Sequence, residues 1–247
     1  MASTIPLKRT IDLTQRYVYN APLLYVNSGE LAFSIGDHVR QLILAPPFVW
    51  RWNRGFADPV TCIIGTTDYQ VNIPDFGWLE KATIVQPPAQ NPTQGNTVQK
   101  SWELEVRQTL SGESVLGQPA FISVIADDNN GNITFRLMGV PDAPYVLSLI
   151  YQKSAPTFSS LTDTWAPIPD YYAYLFNLGF LAKTYEYKGD LRFAFAHQEF
   201  LKQLVSASDG LTDTQKNIFL DQRLTYTREI QGDSQKGQIA RAGRSGA

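Results

Sequence analysis

The segment Tyr171–Leu181 constrains the fold more than any other, because it is apolar on almost every side. It reads YYAYLFNLGFL, and Pro169 just before it suits the first position of a helix. A helix that is apolar around its whole circumference has to be covered around its whole circumference. We expect one side to pack on the rest of the chain and another to need a second helix or a second subunit.

Two more helices are expected after this one. Residues 190–204 carry an apolar stripe made by Phe193, Phe200 and Leu204, which predicts a hairpin of two helices. Thr212–Gln215 fits a capping box, in which a threonine and a glutamine cap each other's backbone amides. The sequence therefore predicts a helical C-terminal third.

A further helix is expected near the N-terminus. Its apolar residues recur at helical spacing and are Leu31, Ile35, Val39 and Leu42. Ser28 is the expected N-cap, and Pro46–Pro47 end the helix because proline has no amide hydrogen to donate. The residues before Ser28 are ambiguous, since Tyr17–Tyr19 fit the start of a strand.

A cluster of large aromatic residues follows this helix. Phe48, Trp50 and Trp52 alternate with smaller or polar residues. In an extended segment alternate side chains share one face. We expect that face to be buried.

The middle of the chain predicts short strands bounded by glycine, proline or asparagine. The expected strands are Val60–Gly65, Leu79–Gln86, Trp102–Gln108, Ala120–Ile125, Ile133–Val140 and Tyr145–Tyr151. Asn130-Gly131 suits a type I′ hairpin turn. Six short strands with such turns indicate an antiparallel sandwich or a strongly twisted barrel.

These patterns predict an α+β fold, since helices and strands occupy separate runs. We expect a helical bundle into which an antiparallel β-sandwich or barrel is inserted, followed by a flexible tail. The expected parts are an N-terminal segment and helix at 1–58, the insert at 59–153, the C-terminal helices at 154–230 and the tail at 231–247. The tail is rich in Gly, Ser, Gln and Arg, so it has too little apolar surface to fold alone.

Composition argues against several classes of protein. The net charge is −2, whereas tight binding to nucleic acid needs a concentrated basic patch. One cysteine permits no internal disulfide. The start of the chain lacks a signal peptide pattern, and no apolar run reaches the length of a membrane span.

No enzyme motif is present, and we predict no catalytic, cofactor-binding or metal-binding residues. His38 and His197 lie on apolar stripes, where a histidine of the core or of an interface is expected. Two distant histidines and Cys62 make no zinc signature, and Cys62 lies in an apolar run that favours burial. Phosphate-binding loops and dinucleotide fingerprints are absent.

The order of parts resembles the head-to-tail adaptor (connector) proteins of tailed bacteriophages, especially the tail-tube adaptors of short-tailed phages. An early helix leads into the aromatic cluster Phe48–Asn53 and then into a strand-rich insert. The helix start Ile168–Tyr172, an aromatic-rich helix, the helix at 190–204 and a flexible tail follow. The resemblance extends over most of the chain beyond Ser28 and rests on no catalytic motif.

The resemblance implies a structural virion protein of the phage neck that is made in the host cytoplasm. It implies a ring of about twelve copies that binds the portal and a downstream tail or nozzle protein, while DNA passes through without specific binding. The residues expected to dock into the portal are Ile230, Lys236, Ile239, Arg241 and Arg244. The residues expected to pack in the core or between subunits are Trp50, Trp52, Tyr171, Tyr174, Phe176 and Phe180.

Other functions stay open at this point. The chain fits a tail terminator or a collar protein of the neck as well as an adaptor. It also fits a carbohydrate-binding sandwich, whose sugar platforms would be Trp78, Trp102 or Trp165. An enzyme with an unrecognised acid–base pair is the third class.

Overall fold

A computed structural model describes residues 2–18, 29–85, 101–107, 115–128 and 130–220. The chain divides into two compact units. The helical unit consists of Met1–Val49 and Ala155–Ala247, and the sheet unit consists of Trp50–Ser154. The helical unit is thus built from both ends of the sequence.

Helix α3 is the centre of the helical unit, since it packs against the other three bounded helices. The helices are α1 (Leu7–Tyr17), α2 (Glu30–Leu44), α3 (Ala173–Lys188) and α4 (Phe193–Ala207). Residues 213–220 are helical too. The prediction that the apolar segment is a helix is confirmed. The neighbours that cover most of it are helices of its own chain.

Helix α1 was not anticipated, and a strand start at Tyr17–Tyr19 is wrong for Tyr17, the last residue of this helix. Leu7, Ile11 and Thr14 are its buried side, at the spacing of a helical stripe. Only two of those three residues are strongly apolar. Two apolar residues at helical spacing, among several charged ones, were too few to predict a helix from the sequence.

Helix α2 confirms the predicted helix but not its predicted details. Gly29, with a left-handed backbone, occupies the N-cap instead of Ser28. Ile35 and Val39 are buried, as expected, whereas the buried side also includes Arg40. The buried side of α2 is therefore rotated around the helix axis relative to the predicted stripe. It includes Arg40, which donates hydrogen bonds to carbonyls elsewhere in the helical unit.

The predicted helical hairpin and capping box are confirmed. Gly189, with φ of +66°, ends α3 and turns the chain into α4. The Thr212 hydroxyl accepts a hydrogen bond from the Gln215 amide, and the Gln215 side chain accepts one from the Thr212 amide. These bonds satisfy amides at a helix start that have no partner within the helix.

Gly179 lets α3 approach its neighbours closely, so we predict that Gly179→Ala destabilises the helical unit. An alanine Cβ would lie 2.7 Å from Val39 Cγ1 and 2.9 Å from Phe200 Cε2. Overpacking costs about 1–3 kcal/mol, more than the gain of about 1 kcal/mol in helix propensity. Urea denaturation followed by helical circular dichroism measures the loss. Gly117→Ala is the control, because no described atom lies within 4 Å of its Cβ position.

The sheet unit is built on one curled sheet of eight strands. Its strands are β1 (Arg54–Phe56), β2 (Val60–Thr61), β3 (Asp68–Asn72), β4 (Phe76–Val85), β5 (Ser101–Val106), β7 (Phe121–Asp127), β8 (Asn132–Met138) and β10 (Val146–Lys153). The strand order is β1-β10-β4-β5-β7-β8-β3, and β2 also pairs with β10. Strands β6 (Leu116–Gly117) and β9 (Val140–Pro141) form a separate parallel pair.

The predicted fold class is wrong. The structure is a mixed α/β arrangement in which the curled sheet is the largest element, so the helices are not a bundle framework with a β insert. The sheet is neither a two-sheet sandwich nor a closed barrel. It is also not purely antiparallel, because β5 and β7 run parallel.

The six predicted strands correspond to β2, β4, β5, β7, β8 and β10, whereas β1, β3, β6 and β9 were missed. The sheet turns its apolar residues toward one core that includes Leu79, Leu104, Phe135 and Leu147. The predicted hairpin at Asn130-Gly131 is confirmed between β7 and β8. Its connection has four residues, so the two-residue type I′ geometry is wrong.

The aromatic cluster does not form one extended face. Phe48 is buried in the helical unit, and Trp50 is buried in the sheet unit. Trp52 lies in a short 3-10 helix, Arg51–Asn53, and is half-buried. The unit boundary between Val49 and Trp50 separates side chains that the alternating pattern had grouped together.

Three buried tyrosines should make the sheet unit sensitive to alkali. Burial is the main reason why the pKa of Tyr69, Tyr145 and Tyr151 rises to about 12. Tyr145 donates to Asp142 and Tyr151 donates to Asp75, so ionisation would bring two negative charges together. The ordinary pKa is 10.0, so the contribution is complete below pH 10 and is lost as pH rises toward 12.

Urea unfolding at a series of pH values tests this prediction. Tryptophan fluorescence reports mainly the sheet unit, which holds four of the five tryptophans, Trp50, Trp52, Trp78 and Trp102. The free energy of unfolding should fall through this pH window, and less steeply in Tyr151→Phe. A constant free energy of unfolding through the window contradicts the prediction.

Candidate assembly surface

The side of α3 that faces the helical core is fully covered. Phe176 and Phe180 have no exposed surface, and Leu175 has none either. The Trp165 ring stacks on Phe176 with ring centroids 4.6 Å apart and meets Phe180 edge-on at 6.4 Å. Phe176 and Phe180 therefore belong to the core of this chain and are not available to a second subunit.

The opposite side of α3 is not covered by the described part of the chain. Tyr171 is 65% exposed and Tyr174 is 45% exposed, while Leu178 and Leu181 are half-buried. Tyr174, Leu178 and Leu181 share one side of the helix because they are spaced by four and three residues. We call Tyr171, Tyr174, Leu178 and Leu181 the tyrosine face.

The tyrosines of this face are held in place by one another and by the chain around them. The rings of Tyr171 and Tyr172 are 4.5 Å apart, and those of Tyr172 and Tyr174 are 6.2 Å apart. Asp170 accepts hydrogen bonds from Ser3 and Thr4, which lower the pKa of its carboxyl. The start of the helix is thus tied to the N-terminal segment, with aromatic rings exposed beside an ionised carboxylate.

A second exposed apolar group lies where α3 turns into α4. Tyr187 is 58% exposed, Leu191 is 76% exposed and Phe195 is 75% exposed. We call these three residues the hairpin tip. The sequence analysis named none of these three residues, because it considered only the buried stripe of the second helix of the hairpin.

The sheet unit exposes aliphatic residues as well. Ile63 and Ile64 precede Gly65, whose amide donates to the carbonyl of Pro141 in β9. Leu116 lies in β6, the strand that pairs with β9, and Val115 directly precedes it. All four of these aliphatic side chains are more than half exposed. The Tyr69 hydroxyl bonds to the backbone of Ile63 and Thr66 and so fixes the loop.

The remaining predicted site residues have different outcomes. Trp50 is buried and its ring lies 5.5 Å from that of the half-buried Trp52, so both pack within the sheet unit. The residues predicted to dock into the portal, Ile230, Lys236, Ile239, Arg241 and Arg244, lie outside the described residues.

His38 and His197 belong to the helical unit, and Cys62 belongs to the sheet unit. His197 is half-buried between the rings of Phe193 and Phe200. Burial, followed by the nearby Lys183, lowers the pKa of His38. Cys62 is buried as predicted, and burial raises the pKa of its thiol, which disfavours the reactive thiolate.

The tryptophans considered as sugar platforms are not free rings on a surface. Trp165 is completely buried, and its Nε1 donates to Thr10 at 2.9 Å. Trp102 packs edge-on against Tyr145 and donates to the carbonyl of Pro119. Trp78 is half-buried within β4. Trp165 therefore has no face open to a sugar ring, and the rings of Trp102 and Trp78 are partly covered.

An open cleft of about 190 Å³ in the sheet unit has one titratable side chain, that of Asp127, among its lining residues. No cluster of three His, Cys, Asp or Glu residues that could hold a metal occurs in the described ranges. Among the helices of those ranges, none has the length and apolar character to span a membrane.

Neither the protein-family models nor the curated proteins that were compared with this chain include a match. The geometry of the exposed apolar surfaces is therefore the basis for assigning a function.

Proposed function

We propose that this chain is a structural subunit of a bacteriophage neck, which forms a ring that joins the portal to the tail and leaves a channel for DNA. The observation that carries the proposal is the tyrosine face, an apolar side of the central helix that the described chain leaves open. Exposed apolar surface of this kind marks sites of protein association. Tyrosine is also enriched where protein interfaces are formed.

The adaptor role, as distinct from assembly in general, is supported by the sequence. The order of the aromatic cluster, the Ile168–Tyr172 helix start, the helical hairpin and the polar tail resembles head-to-tail adaptors. A net charge of −2 suits a wall along which DNA passes without the counterion release that accompanies tight phosphate binding. The tail at 231–247 has the composition of a segment that orders on a partner.

Deleting Gln231–Ala247 tests the adaptor role. We expect the shortened chain to keep its circular dichroism spectrum and its self-assembly but to lose attachment to the portal ring of the same phage. Co-sedimentation with purified portal measures attachment. The matched control replaces the same 17 positions with a Gly/Ser segment of equal length. That control should also fail to attach.

Attachment that is undiminished in both variants contradicts the portal-docking role of the tail. A shortened chain that attaches while the Gly/Ser variant does not would show interference by the inserted segment and would equally overturn the assignment. If the intact chain does not bind portal, the adaptor role is wrong, and a tail terminator or a collar protein replaces it.

A further inference from the structure

The connection between β7 and β8 contains the only Asn-Gly pair of the sequence, Asn130-Gly131. Asn130 is exposed, whereas Gly131 is buried. In an Asn-Gly pair the amide nitrogen of the glycine can attack the side-chain carbonyl carbon of the asparagine and close a succinimide ring. This pair is therefore a place where the chain can modify its own covalent structure.

The fold requires glycine at the second position of the pair. Gly131 has φ of +89°, and a Cβ atom there would lie 2.7 Å from Pro74 Cα and 3.0 Å from Pro74 N. Any other residue would combine a left-handed backbone with a clash against backbone atoms. Because residue 131 has no side chain, nothing from that residue crowds the approach of its nitrogen to the side chain of Asn130.

The hydrogen bonds of the turn engage groups other than the nitrogen that would attack. Asp128 Oδ1 accepts from the backbone amides of Asn130 at 2.8 Å and of Asn132 at 3.0 Å. The carbonyl of Gly131 accepts from the amide of Ile73 at 2.6 Å. These bonds fix the backbone on both sides of the Gly131 nitrogen, and they hold it beside the exposed side chain with which it reacts.

We propose that Asn130 is a site of self-modification, at which the folded chain deamidates without a cofactor. The Gly131 nitrogen loses its proton to hydroxide and forms a bond to Asn130 Cγ. The bond from Cγ to the side-chain nitrogen breaks, and that nitrogen takes a proton from water and leaves as ammonia, which restores the hydroxide. Water then opens the succinimide at either carbonyl and gives aspartate or isoaspartate at position 130. Nothing is oxidised or reduced, and the step is independent of the ring function proposed above.

Both products change the turn. Each places a new carboxylate next to Asp127 and Asp128, so three negative charges replace two within four residues. Isoaspartate also adds one atom to the backbone between position 130 and Gly131. A longer backbone cannot keep the present positions of all the groups that Asp128 and Ile73 bind, so we expect the end of β3 to loosen from the hairpin.

Two neighbouring asparagines are internal comparisons, because they lie at the same end of the sheet. Asn72 Nδ2 donates to Asn132 Oδ1 at 3.0 Å, and Asn132 Nδ2 donates to Asp128 Oδ2 at 2.6 Å. Each of these two asparagines is followed by isoleucine, whose branched Cβ crowds its own backbone nitrogen. Their side chains are held by hydrogen bonds and face a hindered nitrogen, so they should stay intact while Asn130 reacts.

Ageing the intact chain in mildly alkaline buffer tests the proposal, with a second sample unfolded in urea. Digestion at acidic pH and peptide mass spectrometry locate the change, and isoaspartate is detected by methyl transfer from an isoaspartyl methyltransferase. We expect the folded chain to lose one ammonia at Asn130, at a rate that rises with hydroxide concentration, and to contain isoaspartate there. Asn130→Gln is the control, because its longer side chain closes a ring far more slowly, and it should lose no ammonia from this turn.

Hydrogen exchange of the peptide that contains Ile73 tests the structural consequence. Its exchange should be faster in the aged wild-type chain than in the fresh one, and unchanged by ageing in Asn130→Gln. If the folded chain keeps Asn130 intact while the chain in urea loses its ammonia, the turn protects the pair and the proposal is overturned. Reaction of Asn72 or Asn132 as fast as that of Asn130 would overturn it as well.

Discussion

Replacing Arg40 with alanine should lower the free energy of unfolding of the helical unit by about 3–5 kcal/mol. The Arg40 side chain is 4% exposed. Its guanidinium donates to Asp37 at 3.1 Å and to the carbonyl of Ala166 at 3.2 Å, and also to the carbonyl of Pro156. Removing the guanidinium leaves the Asp37 carboxylate and the carbonyls of Pro156 and Ala166 without the hydrogen bonds that Arg40 donates.

The charge of Arg40 also lies 3.8 Å from the centroid of the Phe158 ring. Burial is the main reason why the pKa of Arg40 is lowered, and the bond with Asp37 acts against that loss. The partners therefore offset part of the cost of burying the charged guanidinium. One side chain of α2 ties that helix to the segment that runs between the sheet unit and α3.

Urea denaturation followed by helical circular dichroism measures this loss. Arg16→Ala is the control, since Arg16 is exposed near the end of α1 and should change stability by less than about 0.5 kcal/mol. Arg40→Lys should fall between the two, because an ammonium cannot reproduce the planar fork of donors. Equal stability of Arg40→Ala and Arg16→Ala contradicts the structural role of the buried guanidinium.

Trp165→Ala should be about as destabilising, at about 3–5 kcal/mol. Trp165 is completely buried, stacks on Phe176 and meets Phe158 edge-on with centroids 5.1 Å apart. Alanine would leave a cavity between those rings that the packed helices can fill only in part. It would also leave the hydroxyl of Thr10, which is buried, without the Nε1 donor.

Denaturation with the same circular dichroism signal tests this prediction, with two comparison variants. Tyr17→Ala removes an aromatic ring that is 64% exposed and should be close to neutral. Trp165→Phe keeps a ring for Phe176 to stack on but loses the bond to Thr10, so it should be intermediate. A loss below about 1 kcal/mol for Trp165→Ala would mean that this ring does not organise the core.

The helices were predictable where local sequence decides the structure. The apolar segment of α3, the glycine turn after it and the capping box at Thr212–Gln215 each depend on neighbours within a few residues. Arg40 shows the limit, because its carbonyl partners are 116 and 126 positions away. No periodicity in α2 indicates that a charged residue is buried by such distant groups.

The sheet shows the same limit. Apolar runs such as β4 and β10 were predictable, whereas β3 at the sheet edge alternates exposed polar residues with only Tyr69 and Val71. Sequence patterns predict where strands occur more readily than they predict which strands pair with each other. The parallel pairing of β5 with β7 is one such long-range choice, and it helps to make a single curled sheet instead of the predicted sandwich or barrel.

The candidate surface was only partly predictable. Tyr171 and Tyr174 were expected at a subunit contact or in the core, and their exposure fits the first of these. Phe176 and Phe180 are in the core of the chain. A helix that is apolar on all sides reveals that cover is needed, but only the packing of the other helices shows which side stays open.

The account depends on the claim that this chain assembles through apolar surface that one copy cannot cover. Mass photometry of the intact 247-residue chain, alone and mixed with its portal, tests that claim most directly. We expect a discrete closed oligomer of about twelve chains, formed alone or on the portal. A species of 27.7 kDa, the mass of one chain, as the sole form of the protein in both samples would contradict it.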